Sequence, residues 1–332
     1  MKTSTFAWSH GWAEVLSTAG MLSRCVFDLD GVEFEPFARA EWVGTGVTGH
    51  PGHLRELAAE FVCVPFGEGG PATGVVAEWQ GLIGSESNVP SHGPSADEEW
   101  EVAELREGGV TLRLDYPDGH PIESLERRID GVPGEPLITL SLTILARRDS
   151  SISVGLHPIV RLPEKPGALR LSANFDMGMA YPAELPPGTS RAKPGSRFDR
   201  LAEVSLRFGG VGDFGILPFQ EGAEEVLQLC GGSGPIVAEF IEEGASIEIG
   251  WDRTVLPSAQ LWISDRMLRD SPWNGRYRGL GVEPIAAAFD LADAVSTSPN
   301  PINRDGYATA VVVKRGCPRT IDYHFRAISH KK

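Results

Sequence analysis

Apolar and polar residues alternate along much of this chain. Val110, Leu112, Leu114 and Tyr116 are interleaved with Thr111, Arg113 and Asp115, and Pro117-Asp118-Gly119 then supplies a turn. Ile138, Leu140, Leu142 and Ile144 repeat the pattern, as do Ile247, Ile249 and Trp251, and Ile321, Tyr323 and Phe325. A period of two predicts strands with one face on a core. Ala308-Thr309-Ala310-Val311-Val312-Val313 is more uniformly apolar and reads as a central strand. Helical signals are sparse. Leu54, Leu57, Ala58 and Phe61 have the spacing of a short amphipathic helix, and Ile285 to Val295 reads as a helix or a loop. With 39 Gly and 25 Pro as punctuation, these segments predict an all-β chain, a large antiparallel β-sandwich or barrel. The proline-rich stretch from Pro182 to Pro194 reads as a surface loop rather than a linker, so residues 1–332 are taken as a single domain. Residues 1–60 read as an edge strand pair or as a lobe closing one end.

The same alternation singles out chemistry. In Tyr277-Arg278-Gly279-Leu280-Gly281-Val282-Glu283-Pro284, a strand puts Gly279, Gly281 and Glu283 on one face. Glycines on a strand face mark close approach by a ligand or another backbone. In Ser151-Ile152-Ser153-Val154-Gly155-Leu156-His157-Pro158, the small or polar positions end in His157. Two strands that each end such a face in a proton-transfer group suggest a concave site with one acid and one base. Ser91-His92-Gly93-Pro94 adds a histidine in a loop. In Ala259-Gln260-Leu261-Trp262-Ile263-Ser264, Trp262 shares the polar face with Gln260 and Ser264. A tryptophan there suits a sugar ring, with its apolar C–H face and hydroxylated rim.

Composition narrows the partners. Apolar residues make up 41% and charged residues 23% of the 332, ordinary values for a soluble domain. A formal charge of −15 repels phosphate backbones and anionic lipid, so neither nucleic acid nor membrane is an expected partner. No stretch approaches the roughly 20 apolar residues of a membrane span, and the N-terminal residues lack the apolar core of a signal peptide. Cys25, Cys63, Cys230 and Cys317 form no CxxC pair, so buried thiols in a reducing cytoplasm are expected.

These segments, in this order, resemble the aldose 1-epimerase (galactose mutarotase-like) family from about residue 60 to the C-terminus. Val64-Pro65-Phe66-Gly67 is similar to an early Pro-aromatic-Gly segment. Ser91-His92-Gly93 with Trp100-Glu101-Val102 is similar to the His-Gly loop and its downstream tryptophan. Leu156-His157-Pro158 resembles the central histidine motif, Gln260-Leu261-Trp262 an aromatic-bearing strand, and Gly281-Val282-Glu283-Pro284 the segment of the catalytic glutamate. The resemblance implies a β-supersandwich with a concave carbohydrate cleft and a small-molecule sugar as substrate. It implies Glu283 as the base on the C1 hydroxyl and His157 as the acid on the ring oxygen. His92 would bind a sugar oxygen, and Trp262 would form a cleft wall. No metal or redox cofactor is required. The pair is expected to meet across a gap about one pyranose wide, with the carboxylate holding the imidazole charged. Leu156 and Ile159 stand where the better-characterised galactose mutarotases have an Asn and an aromatic residue. No arginine lies between Pro65 and His92, and Asp213 is a candidate for a substrate-contacting aspartate.

Three rival readings accompany this one. A carbohydrate-binding protein would keep the cleft without catalysis. A sugar-phosphate 1-epimerase would need Arg266, Arg269, Arg276 and Arg278 to face the cleft rather than form a solvated loop with Asp265 and Asp270. A glycoside hydrolase would need a carboxylate partner for Glu283, with Asp290 and Asp293 near it in sequence.

Overall fold

A computed structural model describes residues 2–70, 72–83, 91–186 and 188–331. Among these the strands pair almost entirely antiparallel, in two large sheets that share one core. The nine-stranded sheet runs Ile216–Leu217, Leu169–Ser172, Ile236–Phe240, Ala245–Trp251, Arg319–Ser329, Leu137–Ala146, Ile122–Gly131, Gly109–Asp115, Glu101–Arg106. The period-two segments form four of its strands, and Leu112, Leu142, Ile247, Ile321 and Phe325 point into the core. The sequence pattern therefore fixed both their conformation and their inward face.

The second sheet has eight strands. Its path is Arg197–Phe198, Met177–Ala180, Glu224–Cys230, Ser258–Asp265, Arg278–Ala286, Val154–Leu156, Val62–Cys63, and Ile159–Val160 pairs beside Val154–Leu156 on Arg278–Ala286. Leu227, Leu261, Ile263, Leu280 and Val282 join the shared core. The opposite face carries Glu224, Val226, Gln260, Trp262 and Glu283, and loops cover it, so both faces of these strands are largely buried. This is the all-β sandwich expected.

Several local expectations are corrected. Only Val311–Val313 of the apolar tract forms a strand, and it pairs with Ser150–Ile152 in a two-stranded sheet with Val312 exposed. It is not a central strand, because Thr309 upstream donates its hydroxyl to the Ser296 carbonyl and holds that segment in a loop. The Leu54–Phe61 helix is a single turn, Gly52–Arg55. Beyond it the backbone turns outward to other segments: Leu57 accepts from the Ala40 N–H, and Glu60 exchanges bonds with Leu22. Ile285 and Ala286 end a strand, and a short helix follows only at Asp293–Ser296. The N-terminal segment is more than a strand pair. Thr3–Trp8, Gly11–Leu16, Leu22–Leu29 and Val32–Phe34 make a four-stranded antiparallel sheet. The Pro182 to Pro194 stretch is an irregular segment in its described part, with Pro187 outside the described residues.

One buried ion pair ties the N-terminal part to the nine-stranded sheet. The Arg127 guanidinium donates to the Glu60 carboxylate and to the Gly20 carbonyl, and the Tyr323 hydroxyl donates to the same carboxylate at 3.1 Å. Arg127 and Glu60 are fully buried. Removing one partner of such a pair leaves an uncompensated charge, whereas removing both leaves none. Arg127→Met is therefore expected to destabilise by about 3–5 kcal/mol in urea unfolding, and Arg127→Met with Glu60→Leu by much less. A single-variant cost below about 1 kcal/mol would show that the charge is not isolated from water.

Candidate functional site

Strand register brings the candidate residues together. Arg278–Ala286 pairs with Ser258–Asp265 so that Gln260 faces Glu283 and Trp262 faces Gly281. On its other edge it pairs with Val154–Leu156 and then Ile159–Val160, Gly155 opposite Ile285 and Ile159 opposite Gly281. Carried through the interruption, that register sets His157 against Glu283. Backbone pairing continues on the other edge, where the His157 N–H donates to the Phe61 carbonyl and the Ile159 N–H to the Ala59 carbonyl, in register with the Val62–Cys63 strand; the imidazole stacks on the Phe61 ring at 4.3 Å. His157 Nε2 lies 3.4 Å from Glu283 Oε1. This is closer than the one-pyranose gap expected. The groups are not aligned as a hydrogen bond, and Oε1 has no protein partner. Gln260 Nε2 donates to the other oxygen, Oε2, at 2.9 Å and holds the carboxyl group in place.

The glycine row has a different purpose from the one expected. A Cβ on Gly281 would lie 2.1 Å from Glu283 Oε1 and 3.1 Å from Trp262 Cβ. The carboxyl group of Glu283 folds back over the glycine, so the bare face accommodates the chain's own acid. Gly279 similarly gives room to Tyr277, whose ring stacks on Trp262 at 5.8 Å.

The His-Gly loop enters from the side. Gly93, at φ 73° and with its Cβ position blocked by the Val64 carbonyl, lets the loop press against the Val62–Cys63 strand. Ser95 Oγ accepts the Val64 N–H, and the Trp100 indole N–H donates to the Ser95 carbonyl. His92 itself sits in the left-handed region at φ 56°, an uncommon conformation for a residue with a side chain. The Gly67 N–H donates to its Nδ1 at 3.3 Å, so Nε2 carries the ring proton and offers it to the cleft.

Four sequence candidates, Glu283, His157, His92 and Trp262, line one cleft of about 350 Å³, at the small end for small-molecule sites. Sequence reasoning missed His53, Glu68 and Glu224, which line it too. Glu224 accepts the Trp262 indole N–H. It stood unnoticed because Glu224-Glu225 reads as surface charge, whereas the strand sends one carboxyl group to each face. His53 stacks against Phe61 at 5.2 Å from a segment with no strand pattern. Asp290 also lines the cleft, whereas Asp293 does not, since it accepts the Ser153 N–H and hydroxyl. Asp213 lies elsewhere and accepts the Gly215 N–H.

The arginine cluster does not face the cleft. Arg266 and Arg278 pair with Asp265, Arg278 also with Glu164, and Arg276 with Glu41. Among the described residues lining the cleft, none is Lys or Arg.

Burial dominates the electrostatics. Desolvation lowers His157 well below the usual imidazole range, helped by the neighbouring His92 and His53. It lowers His92 to about 4 and His53 to about 3. The same cause raises Glu283 well above the carboxylate range, Glu224 to about 8 and Asp290 to about 7. The expectation that the carboxylate would hold His157 charged is therefore overturned: in a dry pocket the loss of hydration outweighs the attraction of one neighbour. The neutral acid–imidazole pair nevertheless holds the same single proton as the ion pair.

His53, Glu68 and His92 bring donor atoms within 4.8 Å of one another. His53 suits a cation, because its Nδ1–H donates to the Ala96 carbonyl at 3.2 Å and leaves the Nε2 lone pair free. His92 does not, since its Nε2 bears the proton. The three therefore do not present three lone pairs to one ion.

No family model matches the chain, and no curated protein matches it. Solved structures do. An aldose epimerase homologue from C. elegans superposes with a TM-score of 0.65 at 12% identity, covering 99% of both chains. A galactose mutarotase-like protein from Lactobacillus casei gives 0.61 at 13%, over 98% of this chain and 100% of that one. A galactose mutarotase related enzyme from Lactobacillus acidophilus gives 0.60 at 11%, over 100% and 99%. At such identity the likeness is one of fold: this chain has the galactose mutarotase-like β-sandwich.

The raised acids have a consequence for stability. Folded Glu224 keeps its proton to about pH 8, whereas unfolded it ionises near 4.5. Between those values the folded state binds more protons, so this residue's contribution to stability falls as pH rises. Glu224→Gln is expected to gain thermal stability on the wild type as pH is taken from about 5 to about 8.5. Melting curves with a pH-independent difference would contradict the buried, protonated state.

Proposed function

We propose that this protein interconverts the α and β anomers of an aldose by acid–base ring opening. The observation that carries the reading is the 3.4 Å approach of His157 Nε2 to Glu283 Oε1 inside a cleft of one-sugar size. The C1 hydroxyl and the ring oxygen of a pyranose are both bonded to C1. Carriers for their protons must therefore sit close together, as this pair does.

Glu283 takes the proton of the C1 hydroxyl while His157 gives one to the ring oxygen. The C1–ring oxygen bond breaks and the C1–O bond becomes a carbonyl. Rotation about C1–C2 presents the other face, and the two groups reverse roles as the ring closes. The proton count of the pair is unchanged over the cycle. A neutral pair and an ion pair differ only in where that proton sits, and sugar hydroxyls entering the cleft replace some of the lost hydration of the charged form. The His92 Nε2–H is a donor for a sugar oxygen, and the Trp262–Tyr277 stack offers an aromatic wall.

This reading takes residues 1–332 as one domain, because the cleft draws on residues from His53 to Asp290. The sugar-phosphate alternative loses support, since Arg266, Arg276 and Arg278 are paired with acids away from the cleft. Hydrolysis needs one ionised carboxylate beside a protonated one, whereas burial pushes Glu224, Glu283 and Asp290 in the same direction. A binding protein without catalysis would have no need of a paired acid and base.

Polarimetry of freshly dissolved α-glucose and α-galactose tests the proposal. The wild type is expected to accelerate mutarotation of at least one aldose. Glu283→Gln and His157→Asn are each expected to lose roughly 10²–10⁴-fold of that rate. Acceleration that survives Glu283→Gln removes that residue from the chemistry. Sugar binding with no acceleration would favour the binding-protein reading.

A further inference from the structure

The cleft has an unbalanced lining. Glu68, Glu224, Glu283 and Asp290 contribute four carboxyl groups, and no described lysine or arginine lines it. Its three histidines are not cations there, because burial keeps His53, His92 and His157 neutral near pH 7. Elsewhere the chain pairs its buried or half-buried acids. Glu60 meets Arg127, Asp265 meets Arg266 and Arg278, and Glu225 accepts the N–H groups of Arg191 and Ala192 with the Ser190 hydroxyl. The cleft acids have only neutral donors, Trp262 for Glu224 and Gln260 for Glu283, each on one oxygen. Glu224 Oε2, Glu283 Oε1 and Asp290 Oδ1 are buried with no hydrogen-bond donor from the protein. Glu224 is 4% exposed and Glu283 fully buried. Orphaned acceptors of this kind are costly, and in a folded protein they point to an absent partner.

We infer that the missing partner is a positive charge on the ligand: the cleft selects an amino sugar over its neutral counterpart and rejects sugars bearing phosphate or carboxylate. This rests on the reading of the cleft as a pyranose site, and it names the class of pyranose. Sugar hydroxyls would satisfy the open lone pairs. They would not compensate the charge that these acids acquire on ionising in a dry site, which an ammonium does. Its three N–H donors also match an acceptor-rich wall, where Glu224 Oε2 and Asp290 Oδ1 are open and the His53 Nε2 lone pair is free. An anionic sugar finds no described lysine or arginine to pair with in the dry cleft, and any acid that ionises there repels it. Anomer interconversion is compatible with such a substrate, because the amino group takes no part at C1.

Equilibrium binding decides the matter without reference to turnover. Calorimetry on the full-length wild type, in EDTA and slightly acid buffer, would compare glucose with 2-amino-2-deoxyglucose, 3-amino-3-deoxyglucose and 6-amino-6-deoxyglucose. N-acetylglucosamine, glucose 6-phosphate and glucuronate serve as uncharged and anionic controls. At least one amino sugar is expected to bind roughly tenfold or more tightly than glucose. The two anions are expected to bind more weakly than glucose. Tight binding should also release protons, seen as a dependence of the heat on buffer, because an acid that is protonated in the free cleft ionises against the ammonium. Glu224→Gln with Asp290→Asn should bring amino sugar and glucose close to parity. If that variant does not fold, the wild-type panel stands by itself. Glucose binding as well as every amino sugar, an anion binding more tightly than glucose, or no amino sugar binding at all would each overturn the inference. An amino sugar preference without any mutarotation would remove the catalytic reading and leave this one standing. Mutarotation of glucose without the preference would do the reverse.

Discussion

The strand Arg278–Ala286 is held by hydrogen-bonded neighbours on both edges, and everything in the cleft follows from that double register. One neighbour brings Gln260 beside Glu283, and the other brings His157 across from it. A slip of one residue on either side would turn Leu280 and Val282 outward and bury Glu283 in the hydrophobic core. The apolar set on the reverse face forbids this, since Leu261, Ile263, Leu280 and Val282 belong to the core shared by the two sheets. Core packing thus sets the position of a carboxyl group it never touches. Pairing through His157-Pro158 is equally necessary. The Val282 N–H donates to the Pro158 carbonyl and the His157 N–H to the Phe61 carbonyl, so His157 stays in register between two neighbours, with its imidazole stacked on Phe61 and close to Glu283 Oε1.

Dehydration is the second organising force. Loops and aromatic rings close over the outer face of the sheet, and the resulting pocket favours the neutral forms of Glu224, Glu283, Asp290 and the three histidines. Acid–base work is well served by such a site. Burial raises the proton affinity of the carboxyl group and lowers that of the imidazole, so the single proton they share rests on the acid in the free cleft. The same dryness makes the excess of acids expensive to ionise. It gives the cleft a strong bias about the charge of what enters.

Much of this was legible in the chain. Alternation in Gly109–Asp115, Leu137–Ala146, Ala245–Trp251 and Arg319–Ser329 identified the larger sheet, because strands with one wet face must alternate. Alternation in the segments of Gln260 and Glu283 also assigned the correct faces. It failed where burial is two-sided or where backbone bonds leave the local segment. Val311–Val313 looked central for its apolarity but sits on an edge, and Leu57–Phe61 looked helical but is tied to Leu22 and Ala40. His53 and Glu224 carried no readable signal, since one lies in an irregular segment and the other beside a second glutamate that faces away.

By itself, the order of residues determined the β architecture, the inward faces of its strands, and the pairing of one acid with one base as the centre of interest. A two-residue period is a local property, written into each segment and readable there. Only the tertiary structure decided how near Glu283 comes to His157, that Gly281 makes room for the chain's own carboxyl group, and that the arginines just upstream turn away. It also decided the protonation of the site. Distances between segments remote in sequence, and the water excluded from between them, are properties of packing that no single segment contains.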